Sequence, residues 1–437
     1  MRAMQSLKIM ALVCAGAFAG SSSSAQAQSQ TEPGTFLIKG AKIITLNNQG
    51  TLESADLLIR DGKIAQVSED LGTLTADVVI DGRGKVVTPG IIAPSSELGL
   101  TEIGAAASTN DNAIVDTSIG AGFDPAVAFN PHSTLIPFNR AGGLTRAVVL
   151  PSSEEKIFAG QGFAIKLTGG YDSVTDTGLV QKVYFGEYGA QLAGGSRALA
   201  YAQVEKALSQ AQEYADNRAA VRQGEWRELD YSLEDLEALQ PVLNGKQRIL
   251  ITADRASDLL QLLALAQKFN LKLIIQGATE GWMVADELAQ AGVPVIIDAL
   301  GNTPDAFEKL GARMDNAALM QNAGVTLAIS GPGYAGSHNS YLSRQAAGNA
   351  VAYGLPYEQG IRAITANVAE IFGLEGGSLA VGSPAELVLW SGDPLEVTSY
   401  AEMLLIDGKP LSLVNRSTRL RDRYLHPKAG TEHGYKQ

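Results

Sequence analysis

The sequence predicts an α/β protein, a TIM-type (β/α)8 barrel carrying a discontinuous β-sandwich domain formed by both chain ends. Three observations point there. Eight short apolar stretches recur through the middle of the chain, with helical patterns between most of them. Both ends read instead as strand, Asp-Gly turn, strand. Once a removable leader is set aside, about 410 residues remain, enough for one large core with a satellite domain.

The leader is residues 1–27. Arg2 and Lys8 precede an apolar run from Ile9 to Ala19, and Ala25-Gln26-Ala27 follows a serine-rich stretch. This is the layout of a secretory signal peptide cleaved after Ala27, which predicts export to the periplasm. The run is too short to span a bilayer, so no membrane span is expected. Cys14 is the one cysteine of the 437 residues. The mature chain then has no thiol for a disulfide, a thiolate metal site or a nucleophile.

Residues 34–87 form the first part of the β domain. Phe36–Ile44 alternates apolar and polar residues, Asp61-Gly62 turns one strand into the next, and Val78–Gly82 repeats the pattern. Residues 380–425 form its second part, with strands at Ala385–Trp390 and Leu404–Ile406 and a turn at Asp407-Gly408. Neither part alone is large enough to bury a core.

The barrel occupies 88–379. Its expected strands are Gly90–Ala93, Arg146–Leu150, Phe163–Leu167, Val183–Gly186, Ile249–Ala253, Leu271–Ile275, Val293–Ile297 and Val325–Ile329. Several are continuous apolar runs, as parallel strands buried on both faces should be. Ser196 opens an alanine-rich helix reaching Arg222, and a charged insertion follows with a second helix starting near Ser232. Residues 426–437, including His426 and His433, form a polar tail.

Formal net charge is −12, from 34 cations and 46 acids. An acidic surface repels phosphate backbones, which excludes a nucleic-acid partner. No glycine-rich phosphate fingerprint follows the first barrel strand, and no Gly-X-Ser-X-Gly elbow surrounds Ser95.

Five stretches, in order, carry a family resemblance: Ile38–Ile43, Val87-Thr88-Pro89-Gly90, Asn139–Thr145, Ala363–Ala369, and Gly377–Gly382 leading into Ala385–Trp390. On these residues the chain resembles the amidohydrolase superfamily, in its imidazolonepropionase-like branch, over almost the whole mature length. The resemblance implies a metal-dependent hydrolase of non-peptide carbon–nitrogen bonds, with ligands at the C-terminal mouths of strands one, four, five, six and eight. Its usual histidine slots hold Ser95 and Glu97 on strand one, Thr252 and Asp254 on strand five, and Gln276 on strand six. Gly331 stands where strand eight would carry the catalytic aspartate, and Glu187 lies close to the strand-four position. His338 is the one histidine expected near a mouth, and Trp282 the best placed of the tryptophans Trp226, Trp282 and Trp390 for a pocket wall.

The expectation is therefore an exported protein without the usual metal centre and with no cofactor. It would bind a small molecule through Ser95, Glu97, Thr252, Asp254, Gln276 and His338, or act as the noncatalytic partner of an amidohydrolase paralogue or of a second copy. The alternative is an active hydrolase. Glu97, Glu187, Asp254 and Asp298 fall at strand ends, where carboxylates hold a hard divalent cation, act as an acid and base pair, or simply pair with cations such as Arg255.

Overall fold

The computed structural model describes residues 34–115, 118–225, 229–301, 303–332 and 338–425. The leader, Trp226, His426, His433 and the tail lie outside them. All eight expected barrel strands form, at Ile91–Ser96, Leu144–Val149, Phe158–Lys166, Val174–Tyr184, Arg248–Ala253, Leu273–Gly277, Val295–Ile297 and Leu327–Ile329, and they stand in that order in one sheet. Strands four to eight run parallel to one another, and strands one and two pair in parallel. Strand three runs antiparallel to both two and four. The strict (β/α)8 expectation is corrected here. Only residues 167–173 separate strands three and four, and a parallel crossover needs a dozen residues or more. The chain makes a hairpin instead, with Ser173 N–H donating to the Gly170 carbonyl (3.1 Å).

Strands one and eight are the sheet's edges, and the turn at Ala363-Ile364 bridges them. Ile92 N–H donates to the Ile364 carbonyl and Ile329 N–H to the Ala363 carbonyl, each at 2.9 Å. The barrel is thus nearly closed, and both edges find main-chain partners. Ile92, Val148, Val180, Leu250, Ile274, Ile296 and Ala328 fill its interior. Val368 and Phe372, on the helix Ala366–Phe372, join that interior cluster. Asn367 fixes this helix by donating its amide to the Leu327 carbonyl (2.8 Å). Alternate residues, such as Ala147, Val149, Val183, Ile249 and Ile251, face outward onto the helices and complete the main core.

The two chain ends meet in one mixed sheet. Val86–Pro89 pairs antiparallel with Leu387–Trp390, joining the N-terminal strands to the C-terminal ones. Phe36, Ile38, Leu57, Ile59, Ile64, Val87, Leu387, Leu389 and Leu405 make a separate core drawn from both sets of strands. Of the expected β-sandwich, the structure shows one continuous mixed sheet, drawn from both chain ends, around its own core. Its joint with the barrel explains two glycines of the resemblance motifs. A Cβ on Gly90 would overlap the Thr145 side chain, and one on Gly143 (φ +97°) would overlap the Trp390 ring. Trp390 is fully buried, its indole N–H donating to Thr88 Oγ1 (2.9 Å). Beneath the barrel, Arg146 and Glu386 form an ion pair at 2.9 Å with both side chains 4% exposed. Among the described residues no helix is long and apolar enough to cross a membrane.

Candidate functional site

The mouth of the barrel is built by strand alternation. Leu250 and Ile274 face inward, so Thr252 and Gln276, two residues further along paired strands, face inward one layer higher. On strand one the register slips between Ala93 and Ser96. That bulge turns Ser95 toward the mouth, where its hydroxyl oxygen accepts a hydrogen bond from Gln276 Nε2 (3.2 Å). The Gln276 amide oxygen is buried with no hydrogen-bond partner among the described residues. Thr252 Oγ1 accepts from the Phe185 N–H (3.2 Å), and Asp254 Oδ1 accepts from Thr279 N–H (3.1 Å) and Thr279 Oγ1 (2.6 Å). Ser330 Oγ donates to the Ile297 carbonyl (3.2 Å).

Two adjoining lobes open over these residues. One, of about 320 Å3, is lined by Lys182, Thr252, Asp254, Gln276, Asp298 and Ser330 among others. The second, of about 770 Å3, takes in Glu187, Tyr188, Arg197 and Glu308. Tyr184, Thr252, Asp254 and Lys309 belong to both walls. Burial works against the Lys309 ammonium, but Asp254 and Asp305 hold its pKa above the ordinary lysine value, so it is a cation at neutral pH.

The outer rim of the second lobe is tied by charge. Glu187 N–H donates to Glu308 Oε2 (2.6 Å), and Glu308 N–H donates back to Glu187 Oε1 (2.9 Å). Arg197 sits between them, 2.9 Å from Glu308, 3.1 Å from Asp258 and 3.6 Å from Glu187. This clasp holds the segment after strand seven against the helix Gly186–Leu192, which follows strand four. Burial pushes the Glu308 carboxyl above the ordinary glutamate value, against the pull of Arg197.

Of the sequence candidates, Thr252, Asp254 and Gln276 line one cavity, with Ser95 bonded to Gln276. Glu97 and His338 do not line either lobe. Glu97 accepts from Thr101 Oγ1 (3.4 Å), and the His338 carbonyl accepts from the Asn139 amide (3.0 Å). Gly331 follows strand eight beside the Asn339 carbonyl. Trp282 packs outside the lobes, donating its indole N–H to the Gly311 carbonyl (2.9 Å) under the Arg313 guanidinium.

Sequence reasoning missed Lys182, Lys309 and Arg197. Lys182 was legible: in Val180-Gln181-Lys182-Val183-Tyr184, every second residue faces in, but strand four was placed too late to include it. Its ammonium donates to the Pro151 carbonyl (2.9 Å). Lys309 and Arg197 lie on connecting segments whose position follows from long-range contacts.

A zinc ion takes three or four imidazole, thiolate or carboxylate ligands. Among the described residues no three His, Cys, Asp or Glu side chains gather within reach of one ion. The side chains described here do not fit the family's metal arrangement.

The comparisons place this mouth on a known frame. A model of the amidohydrolase family matches residues 230–413. The amidohydrolase structure from Thermotoga maritima MSB8 superposes with a TM-score of 0.76 at 25% identity, covering 86% of this chain and 99% of that one. A dihydroorotase of Bacillus cytotoxicus is 39% identical over 57 residues, a match spanning 13% of this chain and 13% of that relative. The atrazine chlorohydrolase TrzN from Arthrobacter aurescens TC1, complexed with zinc, shares the fold at a TM-score of 0.50 and 16% identity, covering 89% of this chain and 99% of that one. That zinc complex corrects the expectation of no cofactor. A neighbour of the same fold carries metal. On its sequence match and its architecture together, the chain belongs to the amidohydrolase superfamily.

Proposed function

We propose that the barrel mouth of this hydrolase-family chain binds a small polar molecule containing a carbon–nitrogen bond. The observation that carries this reading is the meeting of two lobes at Thr252, Asp254, Tyr184 and Lys309, with an unpartnered amide oxygen on Gln276 alongside. A buried acceptor without a donor favours a ligand N–H, and Lys309 supplies a fixed cation for a carbonyl or carboxylate. The match to a dihydroorotase supports a compact polar ligand of this kind. In this reading the protein is exported to the periplasm and acts as a binder, or as the partner of a second copy or an amidohydrolase paralogue.

A second reading, hydrolysis, is favoured by one observation. Glu308 holds its proton more tightly than an ordinary glutamate and shares a lobe with Asp254. Two carboxyl groups in unlike environments are the raw material of an acid and base pair.

Both readings are tested by calorimetry on the mature chain with N-acetyl amino acids and 5-substituted hydantoins, run beside an assay for amide hydrolysis. Binding that weakens in Lys309→Gln and Asp254→Asn supports the first. Turnover lost in Glu308→Gln supports the second. If no compound binds or is hydrolysed, both fail.

A further inference from the structure

A separate cavity of about 490 Å3 lies beside the charged insertion. It shares no lining residue with either lobe of the mouth. Its floor is apolar: Ile157, Phe158 and Leu239 are buried, and the Tyr231 ring meets Phe158 edge-on with centroids 6.4 Å apart. Burial pushes the Tyr231 phenol up to about 12, so it stays neutral, and its hydroxyl donates to the Gln203 carbonyl (2.8 Å).

Most polar groups in the wall already have partners. Asp235 Oδ1 accepts from the N–H groups of Gly120 (2.9 Å) and Gly122 (2.8 Å). Asp230 is paired with Lys206 (2.7 Å) and accepts from the Gln210 amide (2.6 Å). Glu155 is exposed at the rim, where solvent and salt screen it. The exception is Lys156. Its side chain is half-buried, lines the cavity, and has no hydrogen-bond or ion-pair partner among the described residues.

An unpaired, half-buried ammonium over an apolar floor is an incomplete ion pair. We infer that this cavity is a second ligand site, for a small amphiphilic organic anion whose apolar body lies on Phe158 and Tyr231 and whose carboxylate pairs with Lys156. The volume lies within the range of small-molecule pockets, about 300 to 1,000 Å3. One wall residue, Leu192, ends the helix Gly186–Leu192 that also carries Glu187 of the mouth clasp.

The test is calorimetry of the whole mature chain with 4-phenylbutyrate and with its uncharged counterpart 4-phenylbutan-1-ol. The expected result is one saturable site for the carboxylate, weakened about tenfold in Lys156→Gln, the loss of one charge-assisted hydrogen bond. The alcohol binds equally weakly to both chains. Leu192→Trp, which fills the cavity, abolishes binding, while Asp254→Asn at the barrel mouth leaves it intact. Absence of saturable binding, indifference to Lys156→Gln, or loss in Asp254→Asn overturns the inference. Lys156→Gln changes only a rim side chain, so its result does not hinge on folding.

Discussion

Replacing Arg197 by alanine should loosen the segment after strand seven without unfolding the barrel. The guanidinium bonds Glu308 at 2.9 Å and Asp258 at 3.1 Å, and its side chain is 27% exposed. A hydrogen bond to a charged group contributes about 1.5–3 kcal/mol. Two such bonds would set an upper figure near 6 kcal/mol, but three features lower it. Solvent reaches the site. Asp258 keeps Arg255 at 2.7 Å, and Glu308 keeps the Glu187 N–H. A net loss of about 2 kcal/mol is expected, which speeds local opening roughly thirtyfold. Hydrogen exchange followed by mass spectrometry reads this directly in peptides covering 305–312 and 186–192. The barrel strands at 249–253 should exchange as before. Unchanged exchange in both rim peptides would refute the clasp.

The same network has a pH signature. Glu308 has its folded-state pKa raised above the ordinary value. Its contribution to stability is therefore full below that ordinary value, about 4.3 in model peptides, and is lost as pH rises through the raised one. Arg197→Ala removes the influence opposing the rise, so the window of declining stability should widen toward higher pH. Glu308→Gln should abolish it, as measured by urea midpoints across that range.

Other outcomes follow from the packing. Arg146→Met strands the buried Glu386 carboxyl and should cost about 3–5 kcal/mol in urea unfolding, while the double variant Arg146→Met/Glu386→Leu recovers most of it. Trp390→Ala empties the joint between sheet and barrel and should cost about 3–5 kcal/mol, read as a lowered unfolding midpoint. Gln276→Leu loses the bond to Ser95 but also removes an unpartnered amide oxygen. Its stability should stay within about 1 kcal/mol of the native chain, with ligand binding at the mouth reduced.

The parts of this fold that are local in cause were readable in the sequence. Seven of the eight barrel strands announce themselves as apolar runs, whereas strand four, Val174–Tyr184, is mostly polar over its first half and was caught only at its end. Ser196 and Ser232 cap the helices they were expected to open, each accepting a main-chain N–H. Strand direction was not readable: with strand four expected only from Val183, residues 168–182 left room for a parallel crossover, and its earlier start at Val174 is what forces the hairpin. The joining of both chain ends into one sheet needed the pairing of Val86–Pro89 with Leu387–Trp390, which periodicity does not report. At the site, Thr252, Asp254 and Gln276 followed from the family resemblance and strand alternation. Ser95 faces the mouth because of a bulge, and sequence alternation alone would have pointed it away. Arg197, Glu308 and Lys309 act through contacts between segments 111 and 121 residues apart. No short window of sequence contains that information. His338 was placed near a mouth by its distance from strand eight, but its main chain is bound to Asn139 on the far side of the sequence.

The most direct test of the proposed function is a calorimetric titration of the mature chain with its best-binding N-acetyl amino acid or hydantoin, repeated on three variants. The account predicts that Lys309→Gln and Asp254→Asn each weaken binding at least about tenfold, the scale of one charge-assisted contact, while Lys156→Gln leaves it unchanged. Equal affinity in all four proteins would place the ligand elsewhere and contradict a binding site at the barrel mouth.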